Sequence, residues 1–190
     1  MNITLEEYKR MMRGQRSREA GEMFEEIIAS SLDWHEARGI LKADKTPEPM
    51  KPLQKPNKKG QFLACYTKKA QVDFCGTMQG GRAVRFEAKQ TDTDRFERSR
   101  LTDKQMDDLR GHEKLGALCF VLLCFGVQNF YRVPWTVWEN MKAIYGRQYV
   151  KEADVAQYRI PCVAGVLKLL YGIASPNIEQ PETTTKGETT

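Results

Sequence analysis

From about Glu19 to Ile40, apolar residues recur at three- and four-residue steps: Met23 and Ile27, then Phe24, Ile28 and Leu32. That spacing predicts an apolar stripe along a helix, with Gly39 placed to stop it. Residues 1–18 ahead of it are polar and carry Lys9, Arg10, Arg13, Arg16 and Arg18. They read either as a frayed basic arm or as a short surface helix. Between 46 and 60 regular structure breaks, because Pro47, Pro49, Pro52 and Pro56 are mixed with lysines and closed by Gly60. Proline removes backbone donors and fixes φ, so neither a helix nor an inner strand can persist there. The period then becomes two. Phe62, Ala64 and Tyr66 alternate with Leu63 and Cys65, and Val72 and Phe74 flank Asp73, both on the predicted core side. A turn-rich stretch from Gly76 to Gly81 and a second alternating run, Val84 to Lys89, complete a predicted β-hairpin. Thr102 opens a helix that runs to about Leu115 and stops at Gly116. Ala117 to Phe125 is unbroken apolar sequence, the pattern of a strand buried on both faces, and Gln128 to Val133 reads as its neighbour. Pro134 starts a helix carrying Trp135, Trp138 and Met141, both tryptophans being expected in the core. Residues 147–161 have no clear period. Val163, Val166, Leu167 and Leu170 predict a last amphipathic helix, and Ser175 to Thr190 predicts disorder.

The 190 residues suit one domain with an arm or tail. The expected division is an arm over 1–18, a folded domain over 19–174 with a projection over about 46–67, and a disordered tail over 175–190. Hydrophobic residues at 41% and charged residues at 29% fit a globular protein with a real core and exclude collagen-like or fully disordered classes. The longest apolar run is too short to cross a membrane, and no secretory leader is visible. The expected compartment is therefore the cytoplasm, with no membrane partner. The five cysteines, at 65, 75, 119, 124 and 162, are odd in number and lack C-x-x-C spacing. They are read as reduced, mostly core thiols. With only His35 and His112 available, zinc binding and Ser-His-Asp chemistry are poorly supplied.

The net charge is +5, and its distribution says more than its sum. From Lys42 to Lys69 there are eight lysines against Asp44 and Glu48. Two readings stand level: a solvated linker, or a phosphate-binding arm using Lys51, Lys55, Lys58, Lys59, Lys68 and Lys69. Arg82 and Arg85 flank the hairpin turn and could also reach phosphates.

In the second hairpin strand Val84, Phe86 and Ala88 face one way, and Arg85, Glu87 and Lys89 the other. If the hairpin is centred on Gly80, Asp73 and Glu87 lie directly opposite each other. Two like charges so placed repel, and a divalent cation between them is the simplest reason to keep them. Two carboxylates plus substrate oxygens are what Mg²⁺ takes, and Lys89 on the same face could position an attacking water or hold a phosphate. This shared face requires an odd-numbered hairpin loop or a bulge. As a bare pattern, Asp…Glu-x-Lys matches many charged strands; the matching parities and half-buried neighbours strengthen it.

The strings Val72-Asp73-Phe74-Cys75-Gly76 and Phe86-Glu87-Ala88-Lys89-Gln90-Thr91 resemble the RecU family of Holliday junction resolvases. That family shows Asp-Tyr-Asn-Gly, then Phe-Glu-Ala-Lys-Glu-Thr, at nearly the same spacing. Asp103-Lys104-Gln105-Met106 is similar to its His-Gln-Ile helix segment, and Gly116 to Val121 to its Gly-Ile-Cys-Phe-Val strand. Gly21-Glu22-Met23-Phe24-Glu25 looks like the opening of its first helix, and the proline-lysine segment sits where the family carries a stalk. The likeness covers roughly residues 19–173. Val72 stands where the family usually has Thr and Ala20 where it has Arg, and the arm and stalk look shorter. The compact form would suit a phage-encoded member acting in an infected host.

The resemblance implies an α/β fold of restriction-endonuclease-like type, a mixed central sheet flanked by helices with a protruding basic stalk. It implies Mg²⁺ held by Asp73, Glu87 and the Ala88 carbonyl, with Mn²⁺ as a substitute. Lys89 would position the nucleophilic water, Glu25 would support the site from the first helix, and Gln105 would lie near the scissile phosphate. Glu25 also reads as a solvated helix acid, and Gln105 equally as the partner of Thr102 in a capping box. The implied activity is hydrolysis of branched DNA by a homodimer making paired nicks, with a recombinase or branch-migration motor as further partner. A related nuclease on other DNA intermediates and a non-cleaving accessory are the alternatives. Intact Asp73, Glu87 and Lys89 weigh against the last.

Overall fold

A computed structural model describes residues 5–47, 49–67 and 71–173; for residues 5–10 and 13 it describes the backbone alone. Lys68, Lys69 and the tail from 175 lie outside the described residues. In chain order the elements are α1 (Leu5–Glu36), β1 (Leu41–Lys45), β2 (Met50–Pro52), β3 (Ala64–Tyr66), β4 (Phe74–Met78), β5 (Ala83–Thr91) and β6 (Arg95–Glu97). After a 3₁₀ turn over Arg98–Arg100 come α2 (Asp103–Lys114), β7 (Leu118–Phe125), β8 (Asn129–Pro134), α3 (Trp135–Glu139), α4 (Met141–Tyr145) and β9 (Tyr149–Lys151). A second 3₁₀ turn, Glu152–Tyr158, leads to β10 (Cys162–Val163) and β11 (Val166–Leu167). Among the described residues no helix is long and apolar enough to cross a membrane.

Five strands form one mixed sheet in the order β1-β4-β5-β7-β8. β5 and β7 run parallel and the other neighbours antiparallel. A parallel pair needs a crossover, and α2 lies in it. Along β7 the side chains alternate between two cores. Phe120, Leu122 and Cys124 join Phe24, Ile28 and Leu32 of α1, while Cys119, Val121 and Leu123 join Leu109 of α2 and Trp135 and Trp138 of α3. A strand packed by helices on both faces has no polar side, which is why its sequence is apolar throughout. This is the helix-flanked mixed sheet that the sequence leads one to expect.

Register is pinned by aromatic stacking. Phe74 of β4, Phe86 of β5 and Phe120 of β7 stack in a row across three strands, with centroids 4.7 Å apart at each step. A slip of one residue would drive these rings to the opposite face. β4 and β5 pair Phe74 with Phe86 and Thr77 with Ala83. The backbone bond from Met78 N to Arg82 O then leaves Gln79, Gly80 and Gly81 as the loop. It is odd-numbered, as the shared face of Asp73 and Glu87 requires.

Several expectations are corrected. The first helix begins at Leu5, not near Glu19, because residues 5–18 are mostly good helix formers without proline. Its buried stripe is Phe24, Ile28 and Leu32, while Met23 is exposed. The expected last helix is instead the β10–β11 hairpin. Ala164 and Gly165 both have positive φ, 49° and 78°, the two-residue turn that matches strand twist, and Leu167 N is held by Ser31 Oγ of α1 at 2.8 Å. The Phe62–Tyr66 run, which falls within the projection expected over about 46–67, lies outside the central sheet. β3 pairs only with β2, and Phe62, Leu63 and Tyr66 are exposed. Val72 and Phe74 do not share a face either: they belong to opposite cores, because the chain bends at Asp73. All five cysteines are free, but only Cys119 and Cys124 are buried.

Gly76 sits inside β4, not in the turn. A Cβ there would come within 2.1 Å of Lys42 O and 2.4 Å of Ala43 Cα, its partner across the ladder. The glycine allows β1 to approach.

Candidate active site

Glu87 stands in the middle of β5 on the α2 face and is 0% exposed. Asp73 immediately precedes β4, opposite it by continuation of the ladder. The two are cross-tied through their backbones: Asp73 N donates to Glu87 Oε2 and Ala88 N to Asp73 Oδ2, each at 3.1 Å. Asp73 is held from a third side, its carbonyl accepting from Thr46 N at 2.8 Å. Thr46 follows β1, the sheet-edge strand whose approach Gly76 permits.

Lys89, two residues along β5, lies on the same face. Its ammonium bonds Glu87 Oε1 and stands 3.7 Å from Asp73 Oδ2. Gln105, on the first turn of α2, donates from Nε2 to Glu87 Oε1 at 2.5 Å. Its Oε1 accepts from Thr102 N at 2.9 Å, and Thr102 Oγ1 accepts from Gln105 N at 3.3 Å. The capping box and the site contact are therefore made by one side chain.

Burial pushes the Glu87 carboxyl up to about 7, with the Asp73 charge adding to the rise and Lys89 opposing it. The buried Glu87 carboxylate and the half-buried Asp73 carboxylate repel, and a single ammonium does not fully offset them. The donor set fits a hard divalent cation. It comprises Asp73, Glu87 and the Ala88 carbonyl, which shares a strand edge with the N–H aimed at Asp73. Among the described residues no cluster of three or more His, Cys, Asp or Glu side chains converges. Any cation here would therefore draw its remaining ligands from water and substrate.

The other expected site residues are not gathered at this cluster. Glu25 is exposed on α1 and pairs with Lys45 at 2.5 Å; through Lys45 and Thr46 it adjoins the segment that holds Asp73. It lines an open groove between α1 and β1 with Glu22, Glu26, Asp33 and Asp44. Arg82 donates to the carbonyls of Gly116 and Ala117 at 2.9 and 3.5 Å, and Arg85 lies 3.7 Å from Asp108 of α2. Lys51, Lys55, Lys58 and Lys59 are exposed along the β2–β3 ribbon, whose tip is closed by Asn57 Oδ1 accepting from Lys59 N and Gln61 N. Sequence reasoning missed Thr46. Nothing in the sequence links it to a residue 27 positions away; only the β1–β4 pairing does.

The solved structures include one to which this chain is similar, Hjc of the archaeal hyperthermophile Archaeoglobus fulgidus, a Holliday junction resolvase. The identity is 12% and the TM-score 0.44, over 70% of this chain and 91% of that one. No curated protein matches the sequence. The family model for RecU, recombination protein U, matches residues 19–168. That span holds α1 from Glu19 onward, the β2–β3 ribbon, the whole central sheet and the Asp73–Glu87–Lys89 cluster, and the chain belongs to the RecU family.

Proposed function

We propose that this protein is a divalent-metal-dependent endonuclease that hydrolyses phosphodiester bonds in branched DNA, resolving four-way junctions as a homodimer by paired nicks. One observation carries the reading: Asp73 and Glu87 face each other across adjacent strands, with Lys89 between them and Gln105 behind. Membership of the RecU family supports it. A twofold dimer suits a junction in which two strands must be cut symmetrically.

Asp73, Glu87 and the Ala88 carbonyl would hold Mg²⁺, with Mn²⁺ as a substitute. When bound, the metal supplies positive charge to the phosphate oxygens and acidifies water. The chain's own residues do the rest. Gln105 Nε2 and Asp73 N hold the two oxygens of Glu87, so its carboxylate cannot rotate. Lys89 gives up its contact with Glu87 and turns its ammonium to the attacking water or a phosphate oxygen, which orients the nucleophile and offsets developing charge. The stalk lysines add phosphate contacts away from the chemistry.

The test is cleavage of a synthetic four-way junction and of a linear duplex of matching sequence, with and without Mg²⁺. Wild-type protein should cut the junction in symmetric pairs and only with metal. Asp73→Asn removes one anionic ligand and should abolish cutting, while junction affinity holds or rises because a charge facing phosphate is gone. Wild-type rates in Asp73→Asn would dismiss this site.

A further inference from the structure

We propose that Arg100 is a DNA-positioning residue whose guanidinium grips the backbone phosphate next to the one being cut. This rests on the nuclease reading above and extends it to a residue that the family motif does not mark.

Arg100 ends the 3₁₀ turn Arg98–Arg100 and donates from Nη2 to the carbonyl of Gln90 at 3.2 Å. The direction of that carbonyl follows from the strand. Thr91 O accepts from Gly126 N, on the β7 side, whereas Ala88 N points to Asp73, on the β4 side. Polar groups of one residue leave a strand on the same side and alternate along it. The carbonyls of Ala88 and Gln90 therefore both point to the Asp73 side, about 7 Å apart at the strand rise. Backbone phosphates of an extended strand have a similar spacing. β4 begins at Phe74 and pairs with β5 no further than Phe86, so among the described residues no strand covers this edge where Arg100 caps it.

Charge singles Arg100 out. It lines a cleft of about 520 Å³ beyond the end of β5, together with Thr91, Thr93, Asp94, Arg95 and Glu97. The two carboxylates of that cleft are already neutralised, Asp94 by Lys151 at 3.5 Å and Glu97 by Arg95 at 2.9 Å. Asp92 is held by Gln90 Nε2 at 2.6 Å and does not line the cleft. Among the described residues Arg100 meets one neutral carbonyl and no carboxylate, which leaves most of its donors for an anion. A planar guanidinium fixed by one N–H and open along another edge is suited to phosphate.

The experiment measures junction binding in Ca²⁺, single-turnover cleavage in Mg²⁺ and thermal unfolding for wild type, Arg100→Ala, Arg100→Lys and Arg100→Gln. Arg100→Ala should weaken junction and duplex binding about tenfold and lower the salt slope by about 0.9, one phosphate contact. The cleavage rate at saturating DNA should fall far less. Lys should restore most of the slope and Gln none of it. Restoration by Gln, which can cap Gln90 O but carries no charge, would overturn the proposal in favour of a structural cap. So would an unchanged affinity and slope in Arg100→Ala. Wild-type protein that binds no DNA at all would instead overturn the nuclease reading, and this inference with it.

Discussion

Glu87 is made costly by its surroundings. A carboxyl raised from its ordinary 4.5 to about 7 favours the folded state only while protonated. That contribution is fully present below about pH 4.5 and is lost as pH rises through 7. At about 1.4 kcal/mol for each pH step, the loss is roughly 3 kcal/mol in metal-free protein. Glu87→Gln keeps the shape and removes the charge. Metal-free Glu87→Gln should match wild type in denaturant midpoint near pH 4.5 and exceed it above pH 7. Added Mg²⁺ should stabilise wild type at pH 8 and leave the variant unmoved. Equal midpoints at pH 8 without metal would mean that the carboxylate is not under this strain. The sequence places Glu87 and Lys89 on one face, and it leaves two roles level for Gln105. In the structure the amide oxygen serves the helix cap while the amide nitrogen contacts Glu87.

Elements matter here through their edges. β1 is the last strand of the sheet, and the chain leaving it supplies Lys45 to Glu25 and Thr46 N to Asp73. Its docking depends on Gly76, where any side chain would strike the β1 backbone. Gly76→Ala should therefore cost about 1–3 kcal/mol, in the range of overpacking. It should also cut the cleavage rate at temperatures where the fold survives, because Asp73 loses its anchor. Urea unfolding and single-turnover cleavage of one preparation check both parts, and a variant with normal stability would show that β1 tolerates the shift. Composition alone assigned this glycine to the turn, since a run of Gly76, Gly80 and Gly81 reads as one punctuation mark. Only Gly80 and Gly81 turn, with φ of 87° and 85°.

At the scale of the whole molecule, the β2–β3 ribbon pairs with itself and is exposed along its length. The core does not need it. Thr46, however, lies in the expected projection and is tied to Asp73, so a clean deletion must spare it. The ribbon's neck closes with Thr67 N donating to Pro49 O at 2.8 Å, which makes residues 50–66 removable. Bridging that gap with a short Gly-Ser loop should leave unfolding and Mg²⁺ binding intact. Junction affinity should fall more than duplex affinity, because only a junction has a central opening for a narrow basic projection. Titration of both DNAs across a salt series decides. Equal losses would make the ribbon a general electrostatic arm, and no loss would make it a linker.

Local periodicity by itself determined the β4–β5 hairpin, the doubly buried β7, the start of α2 at Thr102 and the face carrying Glu87 and Lys89, while the odd-numbered loop followed from setting Asp73 opposite Glu87. Each follows from which side of a strand or helix a residue must occupy, and neighbours in sequence settle that. Tertiary structure decided what depends on distant partners. Val72 and Phe74 alternate correctly around Asp73 in sequence, yet a bend at Asp73 sends them to opposite cores. Val163 to Leu170 has a helical spacing, but two positive-φ residues and the Ser31 hydroxyl of α1 turn it into a hairpin. Thr46 beneath Asp73 and Arg100 beside Gln90 leave no mark in any window of sequence. Their positions are set by strand pairing and loop closure, in which residues far apart along the chain meet only once the sheet has formed.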